Sequence, residues 1–147
     1  MKKVSGTILM ARILAIDYGK MRNGLAISDE TKQIASGYKV VVGLDALKKE
    51  IKNITQIYDI EKVLIGISKK SNNELGEIGI LSLEFVEYLK TKFDFDIELI
   101  DEAMTTKEVM RILREMNKPV KKHKDELDKF AAEIMLQEFL NNCKRKD

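Results

Sequence analysis

Arg12-Ile13-Leu14-Ala15-Ile16-Asp17-Tyr18-Gly19-Lys20-Met21-Arg22-Asn23-Gly24-Leu25-Ala26-Ile27-Ser28 is the stretch on which the architecture turns. Residues 11–17 form a short apolar run closed by an acid, the mark of a buried strand. Tyr18 to Gly24 is a glycine-bracketed turn. Leu25 to Ser28 reads as a second strand and Tyr38 to Val42 as a third. Strands joined by short turns predict an antiparallel meander.

Downstream the period changes. Leu44, Leu47, Ile51, Ile54 and Ile57 recur at helical spacing and predict an amphipathic helix. Lys62 to Ile67 is a fourth strand, and its continuous apolar run suits a strand covered on both faces. A polar loop over Ser68–Gly76 leads to a second helix marked by Ile78, Leu81, Phe85 and Leu89. Ile97 to Glu102 is a fifth strand ending in two acids. A third helix starts near Thr105, where Thr105 and Glu108 have capping-box spacing. After a lysine-rich connector around Pro119, a last helix runs from about Asp125 to Asn142, with Leu127, Ala131, Ile134 and Met135 expected to face inward. The order β-β-β-α-β-α-β-α-α predicts an α/β fold: a mixed five-stranded sheet with helices on both faces.

The chain's 147 residues suit one domain, read here as residues 11–147 behind a short extension at 1–10. With 44% apolar and 34% charged residues the composition is that of a globular protein. Twenty-six basic against 24 acidic residues leave +2, so no global field announces nucleic acid or membrane, and binding must come from local patches. No apolar run reaches the roughly 20 residues of a membrane span, and the apolar stretch at the N-terminus is too short for a signal peptide. The lone cysteine, Cys143, cannot form an intramolecular disulfide. These features fit a cytoplasmic protein with no membrane partner.

Three acids stand out by position. Asp17 ends the first strand, Glu102 ends the fifth, and Asp128 lies in the first turn of an otherwise apolar helix face. In a mixed sheet these elements can converge near one strand edge, where carboxylates repel unless a cation joins them. Oxygen ligands plus water suit Mg²⁺, and a pair of such ions can activate water and stabilise the leaving oxygen of a phosphodiester. Each acid also has a plainer role: Asp17 as turn former, Glu102 and Asp128 as complements to a helix dipole. Asp101 competes with Glu102, because alternation alone does not say which face is inward. Asp125 shares the helix face of Asp128.

The run from Arg12 to Asp29 closely resembles the opening of the YqgF family, Holliday-junction-resolvase-like proteins also described as pre-16S rRNA nucleases. Val63-Leu64-Ile65-Gly66 is similar to that family's fourth strand. Ile100-Asp101-Glu102-Ala103-Met104-Thr105-Thr106 resembles its Asp-Glu-Arg-x-Thr-Thr segment, and Asp128-Lys129-Phe130-Ala131-Ala132 its late Asp-x-x-Ala-Ala helix. The resemblance covers nearly the whole chain from Arg12 onward. It implies a ribonuclease-H-like fold and a metal-dependent nuclease, with Mg²⁺ or Mn²⁺ held by Asp17, Glu102 and Asp128 as catalytic and metal-binding acids. The substrates it implies are structured RNA, the ends of precursor 16S rRNA in ribosome biogenesis, or branched DNA. Ribosomal particles are a further implied partner. The chain departs from the family at Ala103, where an arginine is usual, at Lys20 in place of a threonine, and after Gly66, where Ile67-Ser68-Lys69-Lys70 replaces Gly-Leu-Pro-Leu.

Phosphates need cations near the acids. Lys20 and Arg22 follow Asp17 directly, Lys69 and Lys70 follow the fourth strand, and Lys121, Lys122 and Lys124 belong to the densest basic stretch. These are the candidate nucleic-acid contacts, although charge runs are more often only solvated. The single histidine, His123, excludes a multi-histidine metal site. Ser28 lacks the partners of a triad. Three functions therefore stand at this point: an rRNA-end nuclease, a junction-resolving DNA endonuclease, and an RNA-binding assembly factor with little catalysis. Asp17-Tyr18-Gly19 also resembles the first phosphate loop of actin-like ATPases, but 147 residues do not supply the second lobe that fold requires.

Overall fold

The computed structural model describes residues 10–67, 76–100, 111, 114, 115 and 124–145, with 76–79, 124–128, 144 and 145 described by backbone alone. The meander is formed by β1 (Arg12–Tyr18), β2 (Arg22–Ser28) and β3 (Ala35–Val42). Helix α1 (Leu44–Ile57), strand β4 (Ile60–Ile67), helix α2 (Gly76–Lys92) and strand β5 (Asp96–Ile100) follow. Helix α3 (Lys124–Arg145) comes last among the described elements. The strands form one sheet in the order β3-β2-β1-β4-β5. β1 pairs antiparallel with β2 and parallel with β4, and β5 extends the parallel half. The mixed α/β sheet expected from the sequence is thus observed. Of the third helix expected near Thr105, the described residues Arg111, Arg114 and Glu115 are helical, and the Thr105/Glu108 capping box lies outside the described residues.

Alternation along the strands divides the interior in two. Leu14, Ile16 and Tyr18 point to one face, where α1 supplies Leu47, Ile51 and Ile54 and α2 supplies Phe85, Val86 and Leu89. Ile13 and Ala15 point to the other, under Ala132, Met135, Leu136 and Leu140 of α3. The continuous apolar run in β4 serves both, with Val63 and Ile65 in the first core and Leu64 in the second, all fully buried. Ile134 departs from expectation. The stripe of α3 that meets the sheet runs through Ala132, Met135, Leu136 and Leu140, which turns Ile134 to the flank, where it lines a groove of about 600 Å³ with Phe130 and Gln137. Gly76 opens α2 rather than ending a loop.

β3 begins three residues earlier than its β-branched residues suggest. Its backbone is held from outside the sheet: the Ala35 N–H donates to Gln137 Oε1 at 2.8 Å and the Gly37 N–H to Glu133 Oε1 at 2.8 Å. Two side chains one helical turn apart thus satisfy two donors two strand residues apart, since both repeats are near 6 Å. Close approach at this point needs glycine, because a Cβ on Gly37 would sit 2.6 Å from Lys129 Cγ. A register shift follows, leaving Tyr38 as the extra residue between the pairs Ala26↔Gly37 and Leu25↔Lys39. Such a bulge reverses the parity of the strand. Val41 consequently packs into the α1–α2 core, while Val40 and Val42 register with Gly24 and Arg22 on the α3 side.

Candidate active site

Asp17 is the next-to-last residue of the central strand and shares the parity of Ile13 and Ala15, which face α3. Its neighbours across the sheet are Gly24 on β2 and Gly66 on β4. In the interior of a sheet a carboxylate normally meets a cross-strand side chain on each side. Here both positions carry none, so the half-buried carboxylate of Asp17 is flanked by bare backbone. Tyr18 points the opposite way and stacks on Phe85 at 5.3 Å. Burial, and after it the nearby Glu84 carboxylate, push its phenol pKa up, so Tyr18 stays protonated and belongs to the core.

The turn after β1 is built to be tight. The Gly19 N–H donates to Asn23 Oδ1 at 3.0 Å, and Asn23 is only 2% exposed. A Cβ at Gly19 would fall 2.5 Å from the Arg22 carbonyl oxygen, so the return into β2 requires glycine. The turn leaves Lys20 exposed and starts β2 at Arg22, which is half-buried and has the same parity as Gly24. Two cations are thereby held close to Asp17, one of them on its own face of the sheet.

Helix α3 runs antiparallel to β3, as the Glu133–Gly37 and Gln137–Ala35 contacts show, and β3 runs in the direction of β1. Its N-terminal end therefore lies towards the end of β1 that carries Asp17. Gly37 registers with Ala26 and Ala26 with Ala15. Asp17 stands about 6.6 Å further along the strand than Ala15, and the backbone at position 128 stands about 7.5 Å ahead of Glu133 along the helix axis. Position 128 is thus level with Asp17, on the stripe that continues through Ala132 and Met135. Position 125 lies about 4.5 Å further out on that stripe. Lys124 is the first residue of α3.

Glu102, its competitor Asp101, and Lys69, Lys70, Lys121 and Lys122 lie outside the described residues. Among the described residues no three His, Cys, Asp or Glu side chains form a metal-holding group. Ser28 is structural: its hydroxyl accepts from the Ile13 N–H at 2.9 Å and donates to the Asp29 carbonyl at 3.0 Å. Cys143 is exposed. Arg111, upstream in the basic region, pairs with Glu115 at 3.0 Å on its own helix. The flanking pair Gly24 and Gly66 was not visible as a functional feature in the sequence, because only the strand register shows that the two glycines bracket one acid.

A five-stranded mixed sheet in this order, with an acid at the end of the central strand, is the ribonuclease-H-like architecture. The fowlpox virus resolvase in complex with Holliday junction DNA has a similar fold, with a TM-score of 0.55 at 11% identity over 88% of this chain and 98% of that one. A family model described as "RuvX: Holliday junction resolvase" matches residues 11–142. A protein of Thermoanaerobacter pseudethanolicus named "Putative pre-16S rRNA nuclease" is 37% identical over 139 residues, covering 92% of this chain and 99% of its own. One of the same name from Halothermothrix orenii is 33% identical over 132 residues, covering 88% and 94%. The chain belongs to the RuvX family. It is a phosphodiester-hydrolysing nuclease with nucleic acid as its substrate class, and resolvase-like nucleases generally use divalent metal ions. No described helix is long and apolar enough to cross a membrane.

Proposed function

We propose that this protein hydrolyses phosphodiesters at the ends of precursor 16S rRNA, in the cytoplasm, with Asp17, Glu102 and Asp128 as the acids that hold Mg²⁺ or Mn²⁺. The observation that carries the reading is the setting of Asp17, a half-buried carboxylate at the C-terminal end of the central parallel strand with bare backbone on both sides. Open α/β sheets bind ligands outside the carboxyl ends of their strands. The donor set fits the ion, since hard divalent cations take carboxylate oxygens and keep several waters. A divalent ion there supplies Lewis acidity to the phosphoryl oxygens and a nucleophilic water.

The chain's own residues do the rest. Asp17 presents hard oxygens from a rigid strand rather than a loop. Asp128 is favoured over Asp125 because its backbone is level with Asp17. Glu102 is proposed over Asp101 because it is the acid that the family resemblance matches. Lys20 and Arg22 hold non-bridging phosphate oxygens, which sets affinity and register without reading sequence. Lys69, Lys70, Lys121, Lys122 and Lys124 are the further candidate phosphate contacts. Residues 11–147 act as one domain, in keeping with a family match over 11–142.

The test compares wild type with Asp17→Asn in Mg²⁺ or Mn²⁺ on a structured precursor-rRNA fragment and on a four-way DNA junction. Cleavage of the RNA alone, reduced more than about a hundredfold in the variant, is expected, since loss of even an outer-shell partner commonly costs ten- to a hundredfold. Symmetric cutting of the junction alone would make the protein a resolvase. RNA binding with no cleavage of either substrate would make it an assembly factor, consistent with Ala103 in place of the family arginine.

A further inference from the structure

At the end of the sheet that carries Asp17, on the β3 edge, the surface is not uniformly polar. Met21, Val42 and Leu44 are 60%, 53% and 41% exposed. They adjoin one another: the Gly43 N–H, between Val42 and Leu44, donates to the Met21 carbonyl at 2.7 Å, and Val42 is the register partner of Arg22. Single exposed apolar residues are ordinary. Three brought to one corner by a turn, a strand end and a helix start expose apolar surface at the same place, and contiguous apolar surface, where large, marks binding sites. This corner has two further properties. The bulge at Tyr38 puts Val42 on the same side of the sheet as Asp17, and the cations Lys20 and Arg22 flank Met21 in sequence.

We propose that Met21, Val42 and Leu44 form an apolar shelf that seats an unpaired nucleobase of the bound strand, at the end of the sheet that carries Asp17. The inference rests on the nuclease reading and names the feature of the substrate that the site selects. Cations on either side of an apolar residue match the chemistry of a nucleotide, a charged backbone bearing a flat, weakly polar base. Apolar side chains that include methionine and leucine are used to separate base steps, and a base out of its stack needs such a surface in place of its neighbour. A rigid duplex cannot lay a base on the shelf, so the shelf favours strands that are single or frayed beside the scissile phosphate.

The probe is a hairpin RNA with a short single-stranded tail carrying 2-aminopurine, compared with the same hairpin without the tail. Binding is read by fluorescence anisotropy on the wild type with Ca²⁺, which takes the same carboxylate oxygens, in place of Mg²⁺, and the 2-aminopurine signal reports the seating of the base. The tailed hairpin is expected to bind about tenfold more tightly than the blunt one, the scale of one base contact. Met21→Ser with Val42→Thr should erase that preference and leave blunt-hairpin affinity unchanged. Met21→Phe, at an exposed turn position, should strengthen the preference and deepen the quenching. Equal binding of tailed and blunt hairpins, or a preference that survives the double substitution, overturns the shelf. Metal-dependent cleavage by the wild type separates this failure from that of the nuclease reading, because an active enzyme without tail preference loses only the shelf.

Discussion

Two side chains fold the loops at either end of β2. Asn23 takes the Gly19 N–H, and Asp29 takes the N–H groups of Gln33 and Ile34 at 2.8 and 3.0 Å through one oxygen and the Thr31 hydroxyl at 2.5 Å through the other. The Thr31 hydroxyl first, then the two backbone donors, hold the Asp29 carboxyl well below the usual carboxylate range. A depressed folded-state pKa adds stability above the unfolded value of about 3.9, and that stability is lost as pH falls through the folded value. Asp29→Ala should therefore lower the urea midpoint at pH 7, and the gap from wild type should narrow below about pH 4. At the other loop, Gly19→Ala forces apart a turn that has no space for a methyl group. Its expected signature is weaker binding of nucleic acid with the two cores intact, read by anisotropy beside a thermal melt. Lys20→Ala and Arg22→Ala should each reduce the salt dependence of RNA binding by about one phosphate contact.

The elements were legible in the sequence to different depths, for physical reasons. β1, α1 and β4 stand out because their apolar periods match the faces they bury. The first residues of β3, Ala35-Ser36-Gly37, have little strand propensity. They are extended because Glu133 and Gln137 hold them, from about a hundred residues away in the chain. No local reading finds such a contact. The same limit applied to the site. Asp17 was readable as an acid at a strand end, but its face follows from packing, and its bare flanks follow from register. In α3 the periodicity admitted both Asp125 and Asp128, and only the docking of Glu133 on Gly37 separates them by level. Gly37→Ala should test this docking. The added methyl pushes Lys129 and Glu133 off β3, at a cost of about 1–3 kcal/mol in a chemical melt, with a loss of cleavage larger than the loss of stability predicts.

Among the described residues one sheet separates two cores that share no side chain, and on the proposed reading the metal would be held at the rim of that sheet, beside Asp17, rather than inside either core. Removing metal should therefore stop cleavage without unfolding the protein. Chelation is expected to leave the melting temperature of the apoprotein well defined, and added Mg²⁺ should raise it for wild type but not for Asp17→Asn, because only a folded site that binds the ion gains from it. Leu64, the β4 side chain that α3 covers, belongs to the second core. Leu64→Ala should cost about 2–5 kcal/mol and, by loosening α3, reduce activity even where the protein remains folded.

The closing contact between α3 and β3 also sets an order in time. Chains emerge from the ribosome N-terminus first and tend to fold in that direction. The sheet with α1 and α2 can assemble before residue 124 has been made, leaving the face of Ile13, Ala15 and Asp17 uncovered. On the proposed ligand set, the acid at position 128 arrives only with α3, after all five strands. On that ligand set, a chain that has folded only its sheet, α1 and α2 would lack one of the three acids, and the docking of α3 would be the step that completes the site.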